Sequence, residues 1–170
     1  MSTPFPTQSA RLRYSPLHES DFPALLKIYN SNPDFMEMSE GSRTVTIETV
    51  EKDDLETRSL PFSHCIGIWE QAGDRLVGLM HFTLQNPSDK NPWLGLLMIH
   101  REKQQHGFAR EALSVLHDWL RENEHTTLHL AVLEQNQRVV PFYQSCGYES
   151  YEWRETPALG KVLCMAKRLS

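Results

Sequence analysis

The sequence predicts one α/β domain built on a mixed, mostly antiparallel sheet. Three observations lead there. Residues 93–99 (WLGLLMI) are nearly all apolar, as expected for a strand buried on both faces. Residues 108–120 carry the strongest helical stripe in the chain: Phe108, Ala109, Ala112, Leu113, Leu116, Trp119 and Leu120 recur at a 3.6-residue period. Residues 127–133 then alternate, with Leu128, Leu130 and Val132 on one face. Strand, helix and strand in that order imply a right-handed crossover between parallel neighbours. The remaining strands are expected to pair antiparallel, which makes a mixed α/β sandwich.

The elements follow in order. Residues 1–10, rich in Ser, Thr, Pro and Gln, read as a flexible arm ahead of a domain at 11–170. Residues 11–17 alternate around Leu12 and Tyr14 and predict a strand. Ser20 is a candidate N-cap for a helix whose apolar face is Phe22, Leu25, Leu26 and Tyr29, and Asn30 to Pro33 end it. Residues 33–45 predict loop or a short helical turn, and 46–58 a polar helix. Residues 65–70 and 75–85 predict a hairpin turning at Ala72-Gly73-Asp74. After the central strand, helix and strand, residues 138–145 predict a short helix. Pro141 fits its first turn, where no hydrogen bond is lost, and Gly147 is a natural C′ residue. Two strands near 150–154 and 162–169 close the chain.

Composition narrows the function. The chain has 170 residues, enough for one substantial core, with 39% apolar and 23% charged residues. The formal charge is −5, and no cluster of Lys and Arg suggests a nucleic acid groove. Cys65, Cys146 and Cys164 are too irregularly spaced for a disulfide framework or zinc knuckle and suit a reducing compartment. The first residues lack the apolar core of a signal peptide, and no apolar run is long enough to span a bilayer. The expected setting is the cytoplasm, with no membrane and no metal. His125 and His129 lie outside any HExxH context.

Chemistry concentrates at residues 97–110. A buried strand runs into a polar loop, and the loop opens the best helix. Gly107 and Ala109 keep the helix start uncluttered. A helix start carries free N–H groups and about half a positive charge, so it suits a pyrophosphate. The dinucleotide fingerprint GxGxxG and the P-loop are both absent. Gln104-x-x-Gly107-x-Ala109 instead resembles the (Gln/Arg)-x-x-Gly-x-(Gly/Ala) signature of the GNAT superfamily of N-acetyltransferases. A second segment, Asn136 to Tyr148, is similar to that family's second coenzyme A element: Asn136, Tyr143 seven residues on, then Gly147 and Tyr148. The Val-Pro-Phe-Tyr-Gln stretch is similar to arylalkylamine-type members.

The resemblance implies a fold with helices on both faces and splayed central parallel strands. It also implies acetyl-coenzyme A as co-substrate, an amine acceptor and, through the closing strands, an open route to a homodimer. Leu97, Met98 and Ile99 would pair their backbone with the pantetheine arm, and an N–H near Ile99 would polarise the thioester carbonyl. Gln104, Gln105, His106, Gly107, Phe108, Ala109 and Arg110 would wrap the pyrophosphate, mostly through backbone amides. Asn136 would touch the pantetheine or cap the next helix. Tyr143 would lie near the sulfur and protonate the leaving thiolate. The acceptor must be neutral to attack. An alkyl amine with a pKa near ~10.4 is less than about 0.1% neutral at pH 7, which calls for a base or a water chain. Related enzymes place a carboxylate or histidines on the strand before the loop; residues 93–99 have neither. His81 on the preceding strand is the nearest imidazole, and the base stays unassigned. Asp34, Glu37 and Glu40 are candidate partners for a cationic acceptor. An acyl-coenzyme A sensor or interaction module without turnover is the second reading.

Overall fold

The computed structural model describes residues 2–169. One seven-stranded sheet runs in the order β1-β2-β3-β4-β5-β7-β6. Its strands are β1 Leu12–Pro16, β2 Ser63–Glu70, β3 Arg75–Thr83, β4 Trp93–Ile99, β5 Thr127–Leu133, β6 Glu149–Thr156 and β7 Gly160–Arg168. Every neighbouring pair is antiparallel except β4 and β5. The helices are α1 Phe22–Asn30, α2 Pro33–Glu40, α3 Ile47–Arg58, α4 Phe108–Glu122 and α5 Val140–Ser145.

Strand alternation divides the core in two. Ile66, Ile68, Met80, Phe82, Leu94, Leu128, Leu130 and Val132 face α4, meeting Ala112, Leu113, Leu116 and Leu120. Cys65, Leu79 and Met98 face the other way, against Leu25, Ile28, Tyr29 and Val50 of α1 and α3. Each large apolar side chain so buried contributes about 1.5–3 kcal/mol. Helices therefore cover both faces, as the fold class requires.

Some expectations need correction. Ser20 does not cap α1; it sits in a 3-10 turn, Glu19–Asp21, and Asp21 occupies the cap position. Pro23 in the first helical turn fixes that later start. Residues 33–40 form a true helix, closed by Gly41 in the left-handed region. The described residues of the 1–10 arm lie against the body. Phe5 packs among Tyr14, Phe82 and Trp119, and Trp119 Nε1 donates to the Thr3 carbonyl at 3.0 Å. None of the described helices is long and apolar enough to cross a membrane.

Candidate active site

The parallel pair is joined only at its start. Trp93 and Leu94 pair with His129 and Leu130, and pairing stops there. At the same point β4 bulges. His81 of β3 lies opposite Leu96 and Phe82 opposite Leu94, so Gly95 has no partner. A bulge bends its strand, and the bend coincides with the departure of β4 from β5. Leu96 and Leu97 are consequently only partly buried, although an all-apolar strand predicts burial on both faces.

Register settles which backbone groups the split leaves open. The His100 amide donates to the Val77 carbonyl at 2.7 Å. In an antiparallel ladder the hydrogen-bonding direction alternates, so Leu97 and Ile99 turn their N–H and C=O away from β3. They face the side that β5 has left. The Ile99 carbonyl is occupied there by side-chain amides of Asn32 (3.2 Å) and Gln104 (2.9 Å). The Leu97 groups and the Ile99 N–H face the split with no strand beside them.

The loop after β4 makes a 3-10 turn, Arg101–Lys103, and then winds through two left-handed residues, Gln105 and Gly107. Gly107 is the N-cap of α4 with φ +81°, a conformation that any side chain strains. The first helical bond runs from the Glu111 amide to the Gly107 carbonyl, so the amides of Phe108, Ala109 and Arg110 have no helical acceptor. Among the described residues, no acceptor takes the N–H of any residue from 105 to 110.

Distant residues hold this loop. Gln104 Nε2 donates to Asn32 Oδ1 at 2.7 Å as well as to Ile99, so its side chain points inward as a strut. Arg11 lies over the Phe108 ring, donates from Nε to Glu111 Oε1 at 2.8 Å, and donates from a terminal nitrogen to the His106 carbonyl at 2.7 Å. Burial works against the Glu111 charge, yet hydrogen bonds from Ser9 and Arg11 hold its carboxyl below the usual range. The sequence gives no sign of either Arg11 or Asn32, because each lies about 70–95 residues from the group it holds. His106 is exposed, stacked on Phe108.

On the β5 side, the 3-10 segment Glu134–Val139 leads into α5. Asn136 has non-helical dihedrals within it, and its side chain makes no hydrogen bond among the described residues. Val139, not Asn136, occupies the N-cap position of α5, so the capping role is not realised. Pro141 sits in the first turn, and Gly147 follows the helix at φ +98°. Tyr143 is partly buried and packs against Phe142 and Tyr148. Its hydroxyl bonds to no described protein group, and burial pushes its pKa up to about 12. Arg110 crosses from α4 to bond Ser145 Oγ at 2.7 Å, which locks the helix start to α5.

Helix α2 begins beside the end of β4 and reaches the 3-10 segment beyond β5, so it lies across the open end of the split. Its acids are already paired: Asp34 and Glu37 with Arg43 at 2.8 and 3.2 Å, and Glu40 with Lys52 at 3.5 Å. Neither His81 nor His100 suits a basic role. His81 is 3% exposed, bonds Thr57 beneath α3, and is driven by burial down to about 4, too weak a base for an alkyl amine. His100 Nδ1 accepts from the Glu102 amide in the 3-10 turn.

Comparison with known proteins agrees with this fold. The family model for the acetyltransferase (GNAT) family matches residues 23–148, most of the chain. No curated protein matches in sequence. An acetyltransferase from Thermus thermophilus superposes with a TM-score of 0.76 at 21% identity, covering 94% of this chain and 97% of that one. Spermidine N-acetyltransferase from Vibrio cholerae, in complex with CoA and spermine, gives 0.71 at 18%, covering 94% and 96%. The ribosomal-protein-S18-alanine N-acetyltransferase from Escherichia coli gives 0.64 at 17%, covering 94% of each. At these identities the structural likeness shows a common fold. The match of the family model over residues 23–148 identifies the chain as a member of the GNAT acetyltransferase family and so as an acyltransferase.

Proposed function

We propose that this protein transfers an acetyl group from acetyl-coenzyme A to a primary amine of a small molecule or peptide, by direct attack in a ternary complex. The observation behind this reading is the continuity of two unfilled backbone surfaces. The free edge of β4 at Leu97, Met98 and Ile99 suits an extended, amide-bearing arm, which would pair with it as a strand does. The free amides of Gln105, His106, Gly107, Phe108, Ala109 and Arg110 suit the pyrophosphate at the other end of that arm. Gln104 holds the two surfaces in register. Asn136, with an unspent amide, is free to bond the arm from the β5 side.

In the reaction, the amine nitrogen forms a bond to the acetyl carbon as the carbon–sulfur bond breaks. The Ile99 N–H faces the split and would stabilise charge on the carbonyl oxygen. The amine loses a proton to solvent; Tyr143 hydrogen-bonds the departing thiolate and passes it a proton, which solvent returns to the phenol oxygen. That phenol stays protonated throughout the neutral range. Its pKa of about 12 lies well above ~8.5 for a thiol, so it serves first as a hydrogen-bond donor to developing sulfur charge. No imidazole or unpaired carboxylate lies on β4, and a water chain serves as the route for the amine proton. The acidic residues of α2 recruit a cationic acceptor only if it displaces Arg43 or Lys52. The free thiols of Cys65, Cys146 and Cys164 suit the cytoplasm, and the exposed edge strand β6 offers a route to a homodimer.

Calorimetric titration with acetyl-coenzyme A tests this, comparing wild type with Ala109→Asp. An acid in the first turn suits a helix end and repels a pyrophosphate. Saturable binding by wild type is expected to weaken at least tenfold in the folded variant. Absence of binding by folded wild type would overturn the reading. Binding without coenzyme A release across a broad amine panel would favour the acyl-coenzyme A sensor, a reading prompted by the absence of a base on β4.

A further inference from the structure

Beneath α3, on the sheet face away from α4, three side chains of different chemistry converge outside the site just described. Cys65 of β2 and His81 of β3 are directly opposed in the ladder. Asp54 of α3 lies above them. One donor atom from each, a carboxylate oxygen, a thiol sulfur and an imidazole nitrogen, lies within 4.8 Å of the others. Cys65 is 6% exposed and His81 3%.

The hydrogen bonding around this trio is incomplete in one direction only. His81 Nδ1 meets Thr57 Oγ1 at 3.1 Å, one turn along α3, which orients the ring and turns Nε2 inward. Asp54 Oδ2 accepts from Arg58 Nε at 2.7 Å, which turns Oδ1 inward. His81 Nε2 is buried without any partner, and buried Asp54 Oδ1 has nothing but the Cys65 thiol to meet it. A buried polar atom left so is costly unless something satisfies it. His81 and Asp54 are thus each steered by an outer group, as metal ligands commonly are.

We propose that Asp54, Cys65 and His81 form a zinc site that clamps α3 to strands β2 and β3. One imidazole, one thiolate and one carboxylate are the three donor types that zinc takes, and this mixed set favours it over calcium or magnesium. Zinc–donor distances of about 2.0–2.3 Å need only a modest contraction of the trio. Three protein donors leave one tetrahedral position for a solvent molecule, so the affinity lies below that of four-ligand sites. On binding, the sulfur forms a bond to zinc and the Cys65 proton passes to the buffer. Burial pushes that thiol up to about 12, and the groups facing it are Asp54 and Arg58 from α3 and Tyr29 from α1. The Arg58 charge opposes a cation but is spent on Asp54 and on the Leu17 carbonyl.

The test uses the full chain stripped with a chelator and titrated with Co²⁺, then Zn²⁺. One equivalent of Co²⁺ is expected to give a thiolate-to-cobalt charge-transfer band, Zn²⁺ to bleach it, and Zn²⁺ to raise the Tm of wild type. Cys65→Ala and His81→Ala should lose the band, while a Cys146→Ser/Cys164→Ser variant keeps it. Absence of the band in folded wild type overturns the proposal. So does its persistence in Cys65→Ala, or its loss in the folded Cys146→Ser/Cys164→Ser variant, which decides the matter if Cys65→Ala fails to fold.

Discussion

A phenol that holds its proton to about pH 12 has only one useful state at neutral pH, and Tyr143 is such a group. Tyr143→Phe removes one hydroxyl and leaves the contacts with Phe142 and Tyr148. A lost acid lowers kcat by about a hundredfold or more, with KM for acetyl-coenzyme A nearly unchanged. The pH profile from 6 to 9 should keep its shape, because that range is set by the amine. An unchanged kcat would remove Tyr143 from the chemistry. The spacing from Asn136 to Tyr143 is visible in the sequence, and so is the motif at Gln104. What that motif does with its glutamine is not. The side chain turns inward to Asn32 and Ile99, and a contact across 72 positions leaves no local pattern. Arg11 is invisible in the sequence for the same reason.

At the scale of elements, β4 and its loop behave as one unit, braced by Asn32 at the start of α2 and by Arg11 just ahead of β1. Gln104→Ala deletes two neutral hydrogen bonds, worth about 1–2 kcal/mol together. Part of this appears as a lower Tm. The rest loosens the loop and raises the Kd for acetyl-coenzyme A several-fold, with kcat unaffected at saturation. Paired melting and titration experiments measure the division; an unchanged Kd would make the strut purely structural. The split itself is foreseen only through the family resemblance. Residues 93–99 read as a fully buried strand, and the pattern gives no sign that pairing ends at Leu94. Gly95 marks the bulge, but a glycine in a strand has several readings until the register is known.

For the whole molecule, stability should depend on acid through His117. This residue of α4 is buried against Tyr148, its Nε2 lying 2.7 Å from the phenolic oxygen. Burial, with Lys167 and Arg121 nearby, pulls its pKa from 6.5 to about 4. The folded state keeps the ring neutral while the unfolded chain accepts a proton. The contribution is therefore complete above pH 6.5 and declines as pH falls toward 4. Within that window the slope is about 1.4 kcal/mol per pH unit. His117→Gln should flatten the stability curve by that amount between pH 6.5 and 4, read from denaturant melts; parallel curves would contradict it.

Most of the elements are legible in the sequence alone, because apolar periodicity and turn chemistry are local: the stripe on α4, the hairpin at Gly73, the proline and glycine that bound α5. The sequence by itself also determined the family, because two motifs stand in fixed order around one helix and one strand. Only the tertiary structure decided where β4 parts from β5 and what braces the loop. It also decided that Asp54, Cys65 and His81 share one buried space. Register and packing between distant segments set those relations, and no window of sequence contains both partners.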